Sequence, residues 1–158
     1  MFSKRQTRRS QPDQSLWTKL TVVIVDWEHP SDRKEGSDFV NLLFTLRKHL
    51  PSPQYKLTTA LPCAEWVLRN MDVRQVADHV DFVNAMAYDY MNGDQSVYHA
   101  QLFEGPQSGS RGISYLTGQG FPPSKIILGI PCYGLSFLGA ERRGQAYDRR
   151  GGNEGTFE

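Results

Sequence analysis

The sequence lacks a long apolar run, since no stretch approaches the roughly 20 residues that are needed to cross a bilayer. It also lacks an excess of charge of either sign, with a formal net charge of +1 over 158 residues. Because phosphate contacts demand a concentrated basic surface, this balance argues against a dedicated nucleic-acid binder. We therefore expect neither a membrane nor a nucleic acid as a partner.

Cysteine is scarce, and the chain is short for some architectures. Cys63 and Cys132 are the two cysteines, and each lies in an apolar, strand-like stretch. They either form a disulfide or remain free, and we favour two buried free thiols. A length of 158 residues suffices for one domain with a core, but a closed (β/α)₈ barrel usually needs roughly 250.

The first 17 residues differ from the rest of the chain. They carry Lys4, Arg5, Arg8 and Arg9 against the single acid Asp13, a net charge of +3, and show no hydrophobic pattern. Because the apolar centre of a secretory signal is missing, no signal peptide is visible in this chain. An arginine-containing, acid-poor start also fits a mitochondrial transit peptide, but we interpret residues 1–17 as a disordered basic head.

Strand-like and helix-like stretches alternate from residue 18 onward. The patterns predict strands over residues 20–25, 56–61, 80–87 and 126–130, and helices over residues 37–50, 72–79 and 111–119. The first strand is rich in β-branched residues and is expected to be buried on both faces. This alternation is typical of parallel βα units, of which we count about three and a half. Residues 139–158 show no strong pattern.

Polar side chains follow the first predicted strand. Since strand side chains alternate in direction, Ile24, Asp26 and Glu28 share one face, and Val25 and Trp27 share the other. If the first face points into a barrel, the two carboxyls disfavour each other's ionisation and burial adds to the effect. One of them is then expected to stay protonated near neutral pH and act as an acid. An exposed acidic loop explains the pattern equally well.

Two more polar groups follow later strands. Met86 and Tyr88 alternate onto one face at the end of the third strand, and Asp89 begins the next loop. The fourth strand ends at glycines that permit a tight exit, and Tyr133 is directed at the same edge. Parallel α/β folds place their sites after the strand ends, so these residues are candidates for a site. A core Met and Tyr with a turn Asp is the structural alternative.

The two acids after the first predicted strand, Asp26 and Glu28, carry the most specific family resemblance in the sequence. The fourth barrel strand of glycoside hydrolase family 18, the chitinases and chitinase-like proteins, reads Asp-x-x-Asp-x-Asp-x-Glu. This chain resembles that family over nearly all of residues 20–158, and two of the four carboxylates are kept. The four corresponding positions hold Thr21, Ile24, Asp26 and Glu28.

The other two groups extend the resemblance. Met86, Tyr88 and Asp89 match the Met-x-Tyr-Asp segment on the family's sixth strand, and Tyr133 with Gly134 matches its seventh-strand segment. The chain is most similar to the fungal secreted type. The resemblance implies an α/β fold, a parallel (β/α)₈ TIM barrel, of which this chain holds a fragment of about strands 4 to 7. Residues 18–138 are then a partial catalytic domain, and residues 139–158 start the insertion after strand 7 or form a loop.

The family relationship implies hydrolysis of β-1,4-linked N-acetylglucosamine polymers such as chitin, with retention and with help from the substrate itself. It makes Glu28 the general acid and base, and Asp26 the residue that orients and stabilises the acetamido group, which Tyr88 also supports. Substrate-binding roles fall to Met86, Asp89, Tyr133 and Trp27. No metal or organic cofactor is required, and the implied partner is chitin or a chitooligosaccharide.

Several positions depart from the family pattern. Ile24 replaces an Asp that lies behind Asp26, and Leu135 replaces a substrate-contacting Arg. Trp66 is interpreted as helix packing and not as a sugar platform. Two alternatives to a hydrolase therefore remain, a non-hydrolytic chitin-binding chitinase-like protein and an inactive truncated fragment.

Family resemblance implies a location outside the cell. The exposed edges of a partial barrel favour self-association.

Overall fold

The computed structural model describes residues 21–151 and the strand at residues 156–157. Its centre is a parallel sheet of four strands in the order β1-β2-β3-β4. The strands are β1 (Val22–Val25), β2 (Lys56–Pro62), β3 (Phe82–Met86) and β4 (Ile126–Gly129). In the described part of the chain β1 and β4 each have one neighbour, so the sheet is an open arc of a barrel. This confirms the predicted fragment of a parallel α/β barrel.

Four helices connect and cover the strands, and their bounds are α1 (Arg33–His49), α2 (Glu65–Leu68), α3 (Val73–His79) and α4 (Gly109–Gly118). Capping side chains set three of the starts. Asp32, Asp72 and Ser108 each accept a hydrogen bond from the backbone N–H three residues later. The Asp32 cap explains why α1 begins four residues before the start that apolar spacing predicted. The one-turn helix α2 was not predicted, because four residues show no periodicity.

The core lies between the helices and one face of the sheet, which we call the outer face. Phe39 and Leu43 of α1 pack there with Leu57 and Leu61 of β2 and Val83 of β3. Burial of these side chains holds the helices on the sheet, since each fully buried Leu or Phe contributes about 1.5–3 kcal/mol. The opposite face, called the inner face, is not covered by helices.

Strand β1 corrects one expectation. It was expected to be buried on both faces, but Val22 and Ile24 are exposed and Val23 and Val25 are half-buried. The reason is its edge position, because the inner face of an open arc has no opposite wall. By contrast, all five residues of β2 from Leu57 to Leu61 are buried.

The cysteines also correct an expectation. Both are free thiols, as favoured from the sequence, but only Cys63 is buried and Cys132 is exposed. Cys132 follows the end of β4, where the chain has left the core. Burial raises the pKa of the Cys63 thiol to about 11, against a partly compensating effect of the Tyr90 hydroxyl.

The C-terminal part of the described chain forms two small antiparallel pairs. Strand β5 (Gly134–Leu135) pairs with β8 (Thr156–Phe157), and β6 (Phe137–Leu138) pairs with β7 (Arg149–Arg150). Strands β7 and β8 lie in residues 139–158, where the sequence predicted a loop or the start of an inserted element, and their partners β5 and β6 lie at the end of the predicted partial catalytic domain. The predicted basic head lies outside the described residues, and so does Leu20. No helix within residues 21–151 is long and apolar enough to cross a bilayer.

Candidate active site

A cleft of about 450 Å³ opens on the inner face, at the carboxyl ends of the first three strands. The parallel register places Pro62 of β2 beside Met86 of β3, and Met86 beside Gly129 of β4. Side chains that follow these positions therefore meet at one edge of the sheet. The residues that line the cleft include Asp26, Glu28, Met86, Tyr88 and Asp89. Five of the residues singled out from the sequence are thus brought together.

Asp26 and Glu28 enter the cleft from the end of β1. The alternation that exposes Val22 and Ile24 continues through these two acids, as the spacing predicted. The side chain of Glu28 is 52% exposed, and its Oε2 lies 3.9 Å from Nε2 of His29. The expectation that burial would add to the repulsion between the two acids is therefore wrong, because the inner face of this arc is open to solvent.

Tyr88 faces the two acids from the end of β3. Burial raises the pKa of its phenol, and the negative charges of Asp89, Glu28 and Asp26 raise it further. Gly129 makes room for this ring, since a Cβ at that position would lie 3.0 Å from a ring carbon of Tyr88 and 3.0 Å from the carbonyl oxygen of Ala85. The phenol is thus held as a neutral hydrogen-bond donor close to two carboxylates.

Tyr133 joins this group from the loop after β4. Its hydroxyl donates a 2.6 Å hydrogen bond to Oδ2 of Asp89, and its ring meets that of Tyr88 edge to face with centroids 6.2 Å apart. Burial and the Asp89 carboxylate, which accepts this hydrogen bond, both raise the pKa of Tyr133. Asp89 has a φ of 58°, a left-handed conformation that is uncommon for residues other than glycine.

His99 was not predicted, but it contacts both Asp89 and Tyr133. Nδ1 lies 3.3 Å from the backbone nitrogen of Asp89, and Nε2 lies 3.3 Å from the carbonyl oxygen of Tyr133. The two rings of His99 and Tyr133 stack with centroids 5.2 Å apart. No short-range pattern could have found His99, because it lies in the long loop between β3 and α4 and far from Tyr133 in sequence.

Trp66 corrects another interpretation. It lies on α2, but its side chain is 57% exposed and lines the same cleft as Asp26 and Glu28. Its neighbours Val67 and Leu68 are the residues of α2 that are buried in the core. The one-turn helix therefore presents Trp66 to the cleft and not to the core.

Trp27 is placed away from the cleft, contrary to its predicted substrate-binding role. Its ring packs edge to face on Phe39 of α1, with centroids 6.0 Å apart. The physical reason is strand alternation, since Trp27 lies between Asp26 and Glu28 and so points to the outer face. Trp27 is thus part of the packing against the core.

The arrangement supports acid and base chemistry. The carboxylates of Asp26, Glu28 and Asp89 and the phenol of Tyr88 line one solvent-accessible space. Trp66 offers an exposed aromatic face beside it. Among residues 21–151, no three His, Cys, Asp or Glu side chains lie close enough together to hold a metal ion. Ile24 lies on the face of the acids, so Asp26 has no carboxylate behind it at that position.

Comparison with known proteins places the chain in a family. The family model described as "Glycosyl hydrolases family 18" matches residues 19–158. "Probable chitinase 2" of Drosophila melanogaster is 35% identical over 123 residues, which is 72% of this chain and 25% of that protein. "Chitinase 1" of Aphanocladium album is 30% identical over 154 residues, which is 86% of this chain and 36% of that protein.

A solved structure agrees with these relatives. The GH18 chitinase from Cycas revoluta in complex with (GlcNAc)₄ is 26% identical and superposes with a TM-score of 0.74, covering 86% of this chain and 45% of that one. The chain thus spans less than half the length of these matched proteins. Since the family model covers nearly all of its residues, the chain belongs to glycosyl hydrolase family 18 and forms an open part of that family's barrel.

Proposed function

We propose that this chain carries the acid and base of a chitinase, which cleaves β-1,4-linked N-acetylglucosamine polymers with retention. One observation carries the proposal, the cleft that holds both carboxylates, of Asp26 and Glu28, together with the phenol of Tyr88. The names of the relatives support the substrate, since two of them are called chitinases and the Cycas revoluta structure contains (GlcNAc)₄.

Glu28 is the proposed general acid and base. In the first step its carboxyl gives a proton to the glycosidic oxygen, while the carbonyl oxygen of the sugar's acetamido group attacks C1 and the C1–O bond breaks. In the second step the Glu28 carboxylate takes a proton from water. That water attacks C1 and opens the oxazolinium ring, so the product keeps its anomeric configuration.

Asp26 and Tyr88 have the proposed role of holding the acetamido group. The Asp26 carboxylate stabilises the positive charge that develops on this group, and the Tyr88 hydroxyl donates a hydrogen bond to it. A raised pKa suits this role of Tyr88, because a phenol donates only while it is protonated. Met86, Asp89 and Tyr133 are proposed to bind the reacting sugar, Met86 and Asp89 from the wall of the cleft and Tyr133 through its hydrogen bond to Asp89.

The test compares the unchanged 158-residue chain with Glu28→Gln. Chitotetraose is the substrate, and its products are followed by chromatography and by the anomeric signals in NMR spectra. Removing a general acid and base costs about 10²–10⁴-fold in rate, so we expect Glu28→Gln to abolish measurable cleavage. Glu141→Gln, at an exposed carboxylate after β6, is the matched control and should keep the full rate.

The outcomes separate the alternatives. Cleavage that survives Glu28→Gln contradicts the assignment of the acid, and a product that first appears as the α-anomer contradicts retention. If the unchanged chain binds chitotetraose without cleaving it, the chain is a chitin-binding protein and not a hydrolase. If it neither binds nor cleaves, the proposed function is wrong for this chain.

We further propose an extracellular location, supported by similarity to a Penicillium expansum protein named "Secreted chitinase LysM12", which is 24% identical over 75% of this chain.

Self-association through the two edge strands is also proposed. Val22 and Ile24 of β1 and Ile127 of β4 are exposed on the inner face, and open strand edges favour pairing with a further strand. Sedimentation velocity over a range of protein concentrations tests this, and a constant monomer mass contradicts it.

A further inference from the structure

The loop between β3 and α4 contributes a histidine that lies behind the proposed sugar-binding residues. The side chain of His99 is 12% exposed, so it is largely enclosed by its neighbours. Its own carbonyl oxygen accepts a hydrogen bond from the Tyr90 N–H at 3.0 Å, which fixes the loop to the end of β3. The imidazole ring of His99 is therefore packed against Asp89 and Tyr133 and is not a surface side chain.

The partners of the two ring nitrogens differ in kind. The backbone N–H of Asp89 donates, so Nδ1 must offer a lone pair to it across 3.3 Å. The carbonyl oxygen of Tyr133 accepts, so Nε2 must carry the proton across 3.3 Å. The neutral tautomer with hydrogen on Nε2 satisfies both contacts at once.

The other neutral tautomer satisfies fewer groups. A proton on Nδ1 could be accepted by Oδ1 of Asp89, which lies 3.4 Å away. However, the Asp89 N–H would then lose its acceptor, and the bare Nε2 would face the Tyr133 carbonyl oxygen, lone pair against lone pair. The free-energy cost of leaving these polar groups without partners is larger than the free energy that one hydrogen bond contributes. The Nε2–H form is therefore favoured.

These contacts close a ring of three residues. His99 holds the backbone of Asp89 and of Tyr133, and it stacks on the Tyr133 ring at a centroid distance of 5.2 Å. Tyr133 in turn donates its hydroxyl to Asp89. Asp89 has a φ of 58°, which is unfavourable for a side-chain-bearing residue, and its amide needs an acceptor in that conformation.

We propose that His99, as the neutral Nε2–H tautomer, is a positioning residue that fixes Asp89 and Tyr133 relative to each other at the mouth of the cleft. Asp89 follows β3 and Tyr133 follows β4, so His99 joins the segments that leave these two paired strands, in addition to the hydrogen bond from the hydroxyl of Tyr133. The inference rests on the proposed function for its effect on sugar binding, but the tautomer does not depend on that function.

The first measurement is made on the unchanged full chain labelled with ¹⁵N. Long-range ¹H–¹⁵N correlation spectra in mildly alkaline buffer distinguish the two neutral tautomers, and His99→Gln identifies the His99 signals by their loss. We expect hydrogen on Nε2. Hydrogen on Nδ1 overturns the proposal, because Nδ1 then cannot accept from the Asp89 amide.

The second measurement is chitotetraose affinity by calorimetry, in a Glu28→Gln background so that no substrate is consumed. His99→Phe keeps a stacking ring but loses both hydrogen bonds, and we expect its Kd to rise about tenfold. His99→Gln can restore hydrogen bonding and should recover part of this loss, while His49→Gln at the exposed end of α1 should change nothing.

Equal affinity of His99→Phe and the unchanged residue overturns the positioning role. If the Glu28→Gln chain with His99 intact does not bind chitotetraose, the proposed function fails, and the tautomer spectrum still decides whether His99 holds the two strand ends. Because the spectrum uses the unchanged chain, the proposal stays falsifiable if His99→Phe does not fold.

Discussion

The hydroxyl of Tyr133 donates a 2.6 Å hydrogen bond to Oδ2 of Asp89, and this bond joins the chain segments that leave β4 and β3. The Asp89 carboxylate is exposed and lines the cleft. Because of this bond, the negative charge of Asp89 affects the ionisation of the Tyr133 phenol.

Replacing Asp89 with Asn should lower the pKa of Tyr133. Burial and the Asp89 carboxylate both raise this pKa, the carboxylate because it accepts from the protonated phenol and repels the phenolate. An amide is neutral, so the part due to the negative charge of Asp89 disappears, while the part due to burial remains. Absorbance titration at alkaline pH, with Tyr133→Phe to identify the signal, measures the shift. A pKa of Tyr133 that does not fall in Asp89→Asn contradicts the contact.

Replacing Trp66 with Ala should weaken chitotetraose binding about tenfold, because a large aromatic side chain in a cleft supplies an apolar face for a sugar ring. The measurement is calorimetric, in the Glu28→Gln background. Trp66→Tyr keeps an aromatic face and should retain most of the affinity. Tyr98→Ala removes a similarly exposed ring away from the cleft and should have no effect. Equal losses for Trp66→Ala and Tyr98→Ala would show that the cleft is not involved.

Two glycines of α4 should respond in opposite ways to alanine. A Cβ at Gly112 would overlap the Cα and Cβ of Cys63 at the end of β2, whereas a Cβ at Gly118 meets no atom within 4 Å. We expect Gly112→Ala to lower the free energy of unfolding by about 1–3 kcal/mol, through overpacking. Gly118→Ala should be neutral or raise it by up to about 1 kcal/mol. Urea unfolding followed by circular dichroism provides the comparison, and equal midpoints contradict the close packing of α4.

Asp81 should stabilise the fold in a pH-dependent way. Burial opposes its charge, but hydrogen bonds from the Leu57 N–H, Arg47 and Lys56 outweigh burial and lower the pKa of Asp81 to about 2. An unfolded Asp has a pKa of about 3.9. A lowered pKa gives stability that is complete above the unfolded value and is lost as the pH falls through the folded value.

We therefore expect Asp81→Asn to lower the free energy of unfolding by about 2 kcal/mol at neutral pH. The difference from the unchanged chain should shrink as the pH falls from about 4 to about 2, as urea titrations at several pH values would show. Asp38→Asn breaks an exposed pair with Lys34 and should cost less than about 0.5 kcal/mol. A difference for Asp81→Asn that is constant with pH contradicts the assignment.

Much of the fold follows from local pattern. The four predicted strands and three predicted helices all exist, because β-branched runs and 3.6-residue spacing report directly on burial against a helix layer. The pairing of Asp26 with Glu28 on the inner face also follows from alternation alone. A sequence pattern does not show that the barrel is open and that no strands of the described chain face β1 across its interior. The burial of Val22 and Ile24 was therefore overestimated.

The site was only partly predictable for a similar reason. Motif spacing identified Tyr88, Asp89 and Tyr133 as candidates, whereas the positions of Trp66 and His99 depend on contacts between elements that are far apart in sequence. Trp66 was interpreted as helix packing, since a helix of one turn gives no periodicity that shows which side of it is exposed. Trp27 was given a substrate-binding role with the family resemblance, although alternation directs it to the other face.

The two free thiols give this chain a probe of its own folding. Cys63 lies under Gly112 at the contact of α4 with β2, and Cys132 is open to reagents. An alkylating reagent should therefore modify Cys132 at once and reach Cys63, which is buried but lines the cleft, only when the packing around this thiol opens. The ratio of the two modifications, read by mass spectrometry, reports how often that local opening occurs, without an engineered label. The same ratio measured with chitotetraose present would show whether a ligand in the cleft, which Cys63 also lines, protects this thiol.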